Sequence, residues 1–260
     1  MRPSRVAPLA TVLVLAACAA RPSAPEPVEL SSYGAASLAN ALEQIEAAYK
    51  SVNPSIRLVI ATDSSAALRT QIEQGAPADV FLSADTSNPQ QLFDAGLTQG
   101  GVTFFASNAL VVIVPLDNPA AVATPADLAR PGVTIVAAGD EVPITRYAGE
   151  LVEALAQLSG YPADFADRYA ANVASREDNV QAIVAKIELG EGDAGIVYRT
   201  DALASGSVRT VEIPEEANVV ATYAGVVICT SPHPDAARAF LDWMAGPDGR
   251  AILAEFGFLP

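Results

Sequence analysis

Four segments of the sequence place small polar side chains where a helix pattern begins. These segments are Ala35-Ala36-Ser37, Ser64-Ser65-Ala66, Pro143-Ile144-Thr145 and Asp178-Asn179-Val180. The first turn of a helix presents unbonded N–H groups and the positive end of the helix dipole, so helix starts favour anions. Ser, Thr and Asn are also common N-cap residues, and capping alone is the plainer interpretation. The pattern therefore suggests an anion site made of neutral donors. It does not decide between such a site and ordinary helix caps.

The overall composition excludes several other kinds of chemistry. The chain has 260 residues, a formal net charge of −15 and two lysines, Lys50 and Lys186. It thus lacks the basic patch that nucleic acid or an anionic membrane surface requires. The one histidine, His233, lies between two prolines, so neither the usual zinc sites nor a Ser-His-Asp triad is expected. We predict a protein that is not an enzyme and carries no resident metal or cofactor.

The elements that would position these helix starts alternate along the chain between strands and helices. Apolar or β-branched runs predict strands at 28–32, 56–62, 80–83, 110–115, 133–137, 194–198 and 223–229. Apolar residues at helical spacing predict helices at 37–50, 65–74, 88–96, 145–158, 180–189, 235–244 and 247–256. This alternation predicts an α/β protein with mostly parallel sheets, in which ligands bind beyond the carboxyl ends of the strands.

The N-terminal residues have the pattern of a targeting segment. Arg2 and Arg5 precede an apolar run over 6–17 that is too short to span a bilayer. The run ends in Leu15-Ala16-Ala17-Cys18, which resembles the lipobox of bacterial lipoproteins, where the cysteine is lipidated and becomes the new N-terminus. We predict a lipoprotein signal peptide at 1–18, a tether at 19–27 and an extracytoplasmic protein anchored through Cys18. An ordinary cleaved signal with an incidental cysteine is the alternative. Cys229 is predicted to be a small buried hydrophobe without a disulfide.

Four blocks of sequence, in order, resemble the periplasmic molybdate-binding proteins of ABC importers. The blocks are Gly34-Ala35-Ala36-Ser37-Leu38, the stretch QIEQGAPADVFLSAD at 71–85, Glu177-Asp178-Asn179-Val180 and Gly195-Ile196-Val197-Tyr198. The block at 75–85 is the most specific to that family, and the ordered match runs from about Val28 to the closing Phe256-Gly257-Phe258. The resemblance implies a type II periplasmic-binding-protein fold, with two α/β lobes, a two-strand hinge and an oxyanion in the cleft between the lobes.

The resemblance also implies a division into lobes and a ligand set. The apolar runs at 107–115 and 219–229 flank a middle block, which predicts lobe 1 at 28–108 and 213–260 and lobe 2 at 109–212. Carried over residue by residue, Ser37 and Ser65 contact the anion through hydroxyl and backbone N–H, Ile144 and Val180 through backbone N–H, and Tyr198 through its phenol. The resemblance implies no metal site other than the molybdenum atom of the bound molybdate. The implied function is capture of molybdate, and of tungstate, by a monomer that delivers it to an ABC permease.

Several features leave the ligand open. The family often has Gly or Ala where this chain has Ile144 and Thr145, and a small neutral residue where it has Asp63. Extra bulk could alter closure of the cleft, and an inward carboxylate would repel an anion. Arg69 and Arg146 are interpreted as solvent-facing or inter-lobe salt-bridge residues rather than ligand clamps. The same fold binding another oxyanion, such as sulfate or phosphate, is the alternative, and a sensor detached from transport is another.

Overall fold

A computed structural model describes residues 27–259 of the chain. The predicted signal peptide at 1–18, with Cys18 as its lipidation site, therefore lies outside the described residues. So does the predicted tether at 19–27, apart from its last residue. Within the described part, no helix is long and apolar enough to cross a membrane.

The described residues alternate between strands and helices, as the sequence predicts. The strands are β1 (Val28–Ala35), β2 (Ile56–Asp63), β3 (Val80–Ser83), β4 (Thr103–Asn108), β5 (Leu110–Pro115), β6 (Ile135–Ala138), β7 (Val173–Glu177), β8 (Gly195–Tyr198), β9 (Val208–Val211) and β10 (Ala221–Val227). The helices are α1 (Ala39–Val52), α2 (Ser65–Glu73), α3 (Ser87–Asp94), α4 (Pro143–Ala156), α5 (Phe165–Asn172), α6 (Val180–Glu188), α7 (Arg199–Ala204), α8 (Pro234–Ala245) and α9 (Pro247–Glu255), with 3₁₀ turns at Ala36–Leu38 and Pro125–Ala129.

The strands divide between two separate sheet systems. The first sheet has the order β2-β1-β3-β10-β4. The second system contains β8-β5-β9 and the pair β6-β7, which a parallel bridge between Ile135 and Ala194 connects. The expectation of mostly parallel sheets is wrong, because β10 in the first sheet and β5 in the second run antiparallel to both of their neighbours, and antiparallel pairings outnumber parallel ones among the described strands. Strand β5 is the first strand after the chain crosses to the second sheet system, and β10 is the first strand after it returns to the first sheet.

The chain crosses between the two sheet systems twice, and the two crossings are joined. The first crossing runs from Asn108 to Leu110, and the second lies between Val211 and Ala221. The Asn218 side chain in the second crossing accepts a hydrogen bond from the Leu110 N–H at 3.1 Å and donates to the Leu110 carbonyl at 3.0 Å. Asn218 therefore fixes the spacing of the two crossing segments. The lobe boundaries at 108/109 and 212/213 stay a prediction.

Several elements were not expected from the sequence, and one expectation was wrong. Helix α5 was missed because Phe165 is its one fully buried residue, so it has no apolar stripe. Strand β4 and the short elements β7, β9 and α7 were missed as well. Cys229 is exposed rather than buried, because β10 ends at Val227 and the chain then turns, with the Ser231 N–H bonded to the Ile228 carbonyl.

Gly225 in β10 occupies a crowded position of the first sheet. A Cβ built there would lie 2.9 Å from side-chain carbons of Leu241 and Leu82 and 3.0 Å from the Phe81 carbonyl oxygen. Strand β10 is held between β3 and β4, so its backbone has little freedom to move away. The close packing of α8 on this sheet thus requires a residue without a side chain at position 225.

We expect Gly225→Ala to lower the free energy of unfolding by about 1–3 kcal/mol, because the added methyl overpacks a closed core. Gly101→Ala is the matched control, since nothing lies within 4 Å of a Cβ at that position. Urea unfolding of the chain without its N-terminal segment measures both changes. Equal stability of the two variants would show that the sheet tolerates the extra volume.

Candidate functional site

All five residues that the resemblance assigns to the ligand line one small cavity. These are Ser37, Ser65, Ile144, Val180 and Tyr198. The other lining residues are small or apolar: Ala35, Ala36, Ser64, Ala84, Val142 and Pro143. The cavity volume is about 10 Å³, which is roughly the room that one water molecule needs. A cavity of this size is far too small for a sugar, an amino acid or a peptide.

The cavity lies where four helical segments begin. Ser37 belongs to the 3₁₀ turn that leads into α1, Ser65 and Val180 are the first residues of α2 and α6, and Ile144 is the second residue of α4. The first N–H groups of a helix have no partner within it, and they carry the positive end of the helix dipole. The four starts therefore direct backbone donors and positive dipole ends towards one point.

The N-caps of α2 and α6 are formed by residues that precede the predicted ligands. Ser64 Oγ accepts from the Ala67 N–H at 3.2 Å, and Asn179 Oδ1 accepts from the Ala182 N–H at 3.1 Å. Each cap accepts a hydrogen bond from the third N–H group of its helix. The first N–H groups, those of Ser65 and Val180, are not used by the caps and can bind a ligand in the cavity. Capping therefore explains why polar residues stand at positions 64 and 179. It does not explain the serine at position 65.

The two serine hydroxyls already have hydrogen-bond partners within the protein. Ser65 Oγ accepts from the Ala84 N–H at 3.0 Å, which leaves its own O–H free to donate. Ser37 Oγ lies 2.7 Å from the Tyr223 hydroxyl in a buried contact. Both oxygens are thereby held in place next to the cavity.

The Tyr198 phenol is a buried donor without a partner. Its ring is 1% exposed, and its hydroxyl has no hydrogen-bond partner among residues 27–259. Burial raises the pKa of this phenol well above its ordinary value, and Tyr223 raises it further. The hydroxyl therefore stays protonated at neutral pH. An unsatisfied buried O–H costs about 1–3 kcal/mol, which an acceptor in the cavity would recover.

The larger side chains at 144 and 145 have room or bonding partners away from this cavity. Ile144 also lines a second cavity of about 260 Å³ between α4 and α5, which gives its side chain room in the core. The Thr145 hydroxyl donates to the Gly139 carbonyl oxygen at 2.8 Å. Thr145 is therefore bonded within its own loop and does not line the cavity.

None of the described residues that line the cavity carries a charge. Asp63 accepts from the Ser64 N–H at 2.7 Å and from Asn179 Nδ2 at 3.4 Å, so its carboxylate is bonded outside the cavity. Arg69 and Arg146 pair with glutamates four residues further along their own helices, so neither forms an inter-lobe salt bridge. In the described part of the chain, no group of three or more acidic, His or Cys side chains could hold a metal ion.

Sequence reasoning missed three buried polar residues behind the cavity, namely Asn108, Asp201 and Tyr223. Asp201 lies in the first turn of α7 and accepts from Gln181 Nε2 at 2.8 Å, while its Oδ2 has no partner among the described residues. Burial raises the pKa of this carboxyl to about 8, against the lowering effect of the Tyr198 backbone and Gln181. An Asp in a short helix gave no sequence signal of burial.

The family comparison places the chain in a known group. The model of the family described as bacterial extracellular solute-binding protein matches residues 30–259. The chain belongs to this family. It is 36% identical over 227 residues to the molybdate-binding protein ModA of Mycobacterium tuberculosis, covering 87% of this chain and 82% of that protein.

Two solved structures show the same fold at lower sequence identity. The periplasmic molybdate-binding protein of Azotobacter vinelandii superposes with a TM-score of 0.73 at 23% identity, covering 89% of this chain and 99% of that one. The sulfate-binding protein SubI of M. tuberculosis superposes with a TM-score of 0.79 at 18% identity, covering 90% and 87%. The chain therefore has the expected type II periplasmic-binding-protein fold, with two α/β lobes and a cleft between them.

Asp201 predicts a pH dependence of stability. An unfolded Asp releases its proton near pH 4, whereas folded Asp201 keeps it to about pH 8. Between these values the folded state binds the extra proton, so this contribution to stability is complete at the acidic end and is lost as the pH rises.

Asp201→Asn removes the titration and keeps an acceptor for Gln181, so we expect its unfolding free energy to depend less on pH. Relative to the wild type, the variant should become more stable from about pH 5 to about pH 8, by at most roughly 1.4 kcal/mol per pH unit. Urea unfolding at several pH values measures the difference. Parallel curves for the two proteins would place the pKa of Asp201 outside this window.

Proposed function

We propose that this protein captures molybdate, and tungstate about equally, and delivers it to an ABC permease. The observation that carries the proposal is the convergence of the five predicted residues on one small uncharged cavity. Supporting it is the 36% identity to a molybdate-binding relative, which extends over 87% of this chain.

The chemistry of the cavity suits a fully deprotonated oxyanion. A tetrahedral dianion offers acceptors on all four oxygens, and the proposed contacts are N–H groups of the four helix starts together with the hydroxyls of Ser37, Ser65 and Tyr198. Hydrogen bonds to a charged group contribute roughly 1.5–3 kcal/mol each, so several fixed neutral donors can replace a counter-charge. A protonated phosphate needs an acceptor for its proton, and no carboxylate lies among the described lining residues.

The same fold binding sulfate or phosphate is the alternative function. The likeness to SubI concerns the fold alone, at 18% identity. The alternative is therefore an outcome of the ligand titration described below, and the sequence relationship favours molybdate.

We further propose an extracytoplasmic, lipid-anchored monomer that is not an enzyme. The lipobox at Leu15-Ala16-Ala17-Cys18 supports the anchor, and membership of an extracellular solute-binding family supports the location. The permease is the partner that a transport role requires. Metabolic labelling with a fatty acid tests the anchor, since Cys18→Ser should abolish incorporation.

Calorimetric titration with molybdate, tungstate, sulfate and phosphate tests the proposed function. Molybdate and tungstate should bind with similar affinity, because the two ions have nearly the same size and charge. Sulfate should bind more weakly, because its shorter bonds leave donors unsatisfied at about 1–3 kcal/mol for each lost hydrogen bond. Sulfate binding as tightly as molybdate would reject the ranking and support the alternative.

Removing single hydroxyls should weaken molybdate binding. Ser37→Ala, Ser65→Ala and Tyr198→Phe each delete a donor directed at a desolvated anion, and each should reduce affinity about ten- to a hundredfold. Val180→Ala should leave affinity within a few-fold, since its proposed contact is the backbone N–H. The losses should depend little on salt, because the donors are buried dipoles.

Arg146→Ala is the matched control for a charge-based site. Arg146 is bound to Glu150 at 2.8 Å and lies over the Tyr147 ring, outside the cavity lining. Titration at two salt concentrations compares it with Tyr198→Phe. If the arginine change abolishes binding while the tyrosine change has no effect, a charged clamp replaces the neutral-donor site.

A further inference from the structure

A chain of buried hydrogen bonds runs from the first crossing segment to Ser37. Asn108, the last residue of β4, donates from Nδ2 to Thr200 Oγ1 at 2.9 Å and to the Tyr223 oxygen at 3.4 Å. The Tyr223 hydroxyl in turn lies 2.7 Å from Ser37 Oγ. Asn108 and Tyr223 are completely buried, and neither lines the anion cavity.

The direction of these hydrogen bonds follows from the donors present. A phenol has one proton to donate, whereas the Asn108 amide nitrogen can only donate. Because Asn108 directs an N–H at the Tyr223 oxygen, Ser37 Oγ is the one acceptor within reach of the Tyr223 proton among the described residues. Burial also keeps Tyr223 protonated, since it raises the pKa of this phenol well above its ordinary value.

Ser37 therefore accepts on the side of Tyr223 and has its own O–H left to donate. The reverse arrangement, with Ser37 donating to Tyr223, would turn a serine lone pair towards the cavity and repel an anion. Ser65 is oriented by the same logic, because its oxygen accepts from the Ala84 N–H.

We propose that Tyr223, fixed by Asn108, is a positioning residue that orients the Ser37 hydroxyl as a donor to the bound oxyanion. This inference rests on the proposed function and goes beyond the five cavity residues. Asn108 ends β4 just before the first crossing, Tyr223 lies in β10 just after the second, and Thr200 belongs to α7 beside the second sheet system. The donor direction at Ser37 is thus set by residues that lie next to the two crossings.

A double-mutant cycle on molybdate affinity tests this role. Tyr223→Phe, Ser37→Ala and the double variant are titrated with molybdate beside the wild type. Tyr223→Phe alone should weaken binding about two- to tenfold, which corresponds to one neutral hydrogen bond. In the Ser37→Ala background the same change should have less than about a twofold effect, because Tyr223 acts through Ser37.

Tyr49→Phe is the matched control for loss of a buried phenol. Tyr49 lies in α1 with its ring against Phe240 and Trp243, away from the cavity lining. It should leave molybdate affinity unchanged, and thermal unfolding of every variant reports its folding.

The outcomes separate the inference from the function on which it rests. An equal loss from Tyr223→Phe in both backgrounds would show a merely structural role and overturn the inference. Tighter binding by Tyr223→Phe would overturn it as well, since it would mean that Ser37 donates to Tyr223. If the wild type does not bind molybdate at all, the proposed function itself fails.

Discussion

A cavity that receives a dianion without a counter-charge must supply donors that are already fixed in direction. Taking an ion out of water costs several kcal/mol even in a relaxed protein interior, and loosely held dipoles would have to reorganise at further cost. In the proposed site the fixed donors are helix starts, whose N–H groups cannot turn away, and the hydroxyls of Ser37 and Ser65, whose oxygens already take part in other hydrogen bonds. The surrounding structure has to bring these donors to one point.

The fold meets this requirement by placing the helix starts of both sheet systems around one space. Ser65 follows β2 of the first sheet, and Val180 follows β7 of the second. Asp63 and Asn179 connect these two loops through a hydrogen bond of 3.4 Å, so the carboxylate next to the site is bonded to a neutral amide. The net charge of −15 gives no long-range attraction for an anion, so the proposed affinity has to come from these local dipoles.

The sequence predicted the elements that carry a strong periodic signal. Strands at 80–83 and 110–115 have the predicted bounds, and α6 begins at Val180, directly after its Asn179 cap. Helix α5 escaped prediction because it buries little, and Cys229 was misplaced because an apolar run continues beyond the end of β10. The choice of the five proposed ligand residues came from the resemblance, since spacing alone could not distinguish an anion site from ordinary caps. Tyr223 and Asp201 could not be predicted, because their roles arise from contacts between residues far apart in the chain.

The most direct test of this account is the anomalous diffraction of molybdenum in crystals grown with molybdate. The account predicts one anomalous peak in the cavity lined by Ser37, Ser65, Ile144, Val180 and Tyr198, with N–H and O–H groups as the only protein contacts of the four oxygens. A peak held by an arginine or a lysine, or one outside this cavity, would contradict it.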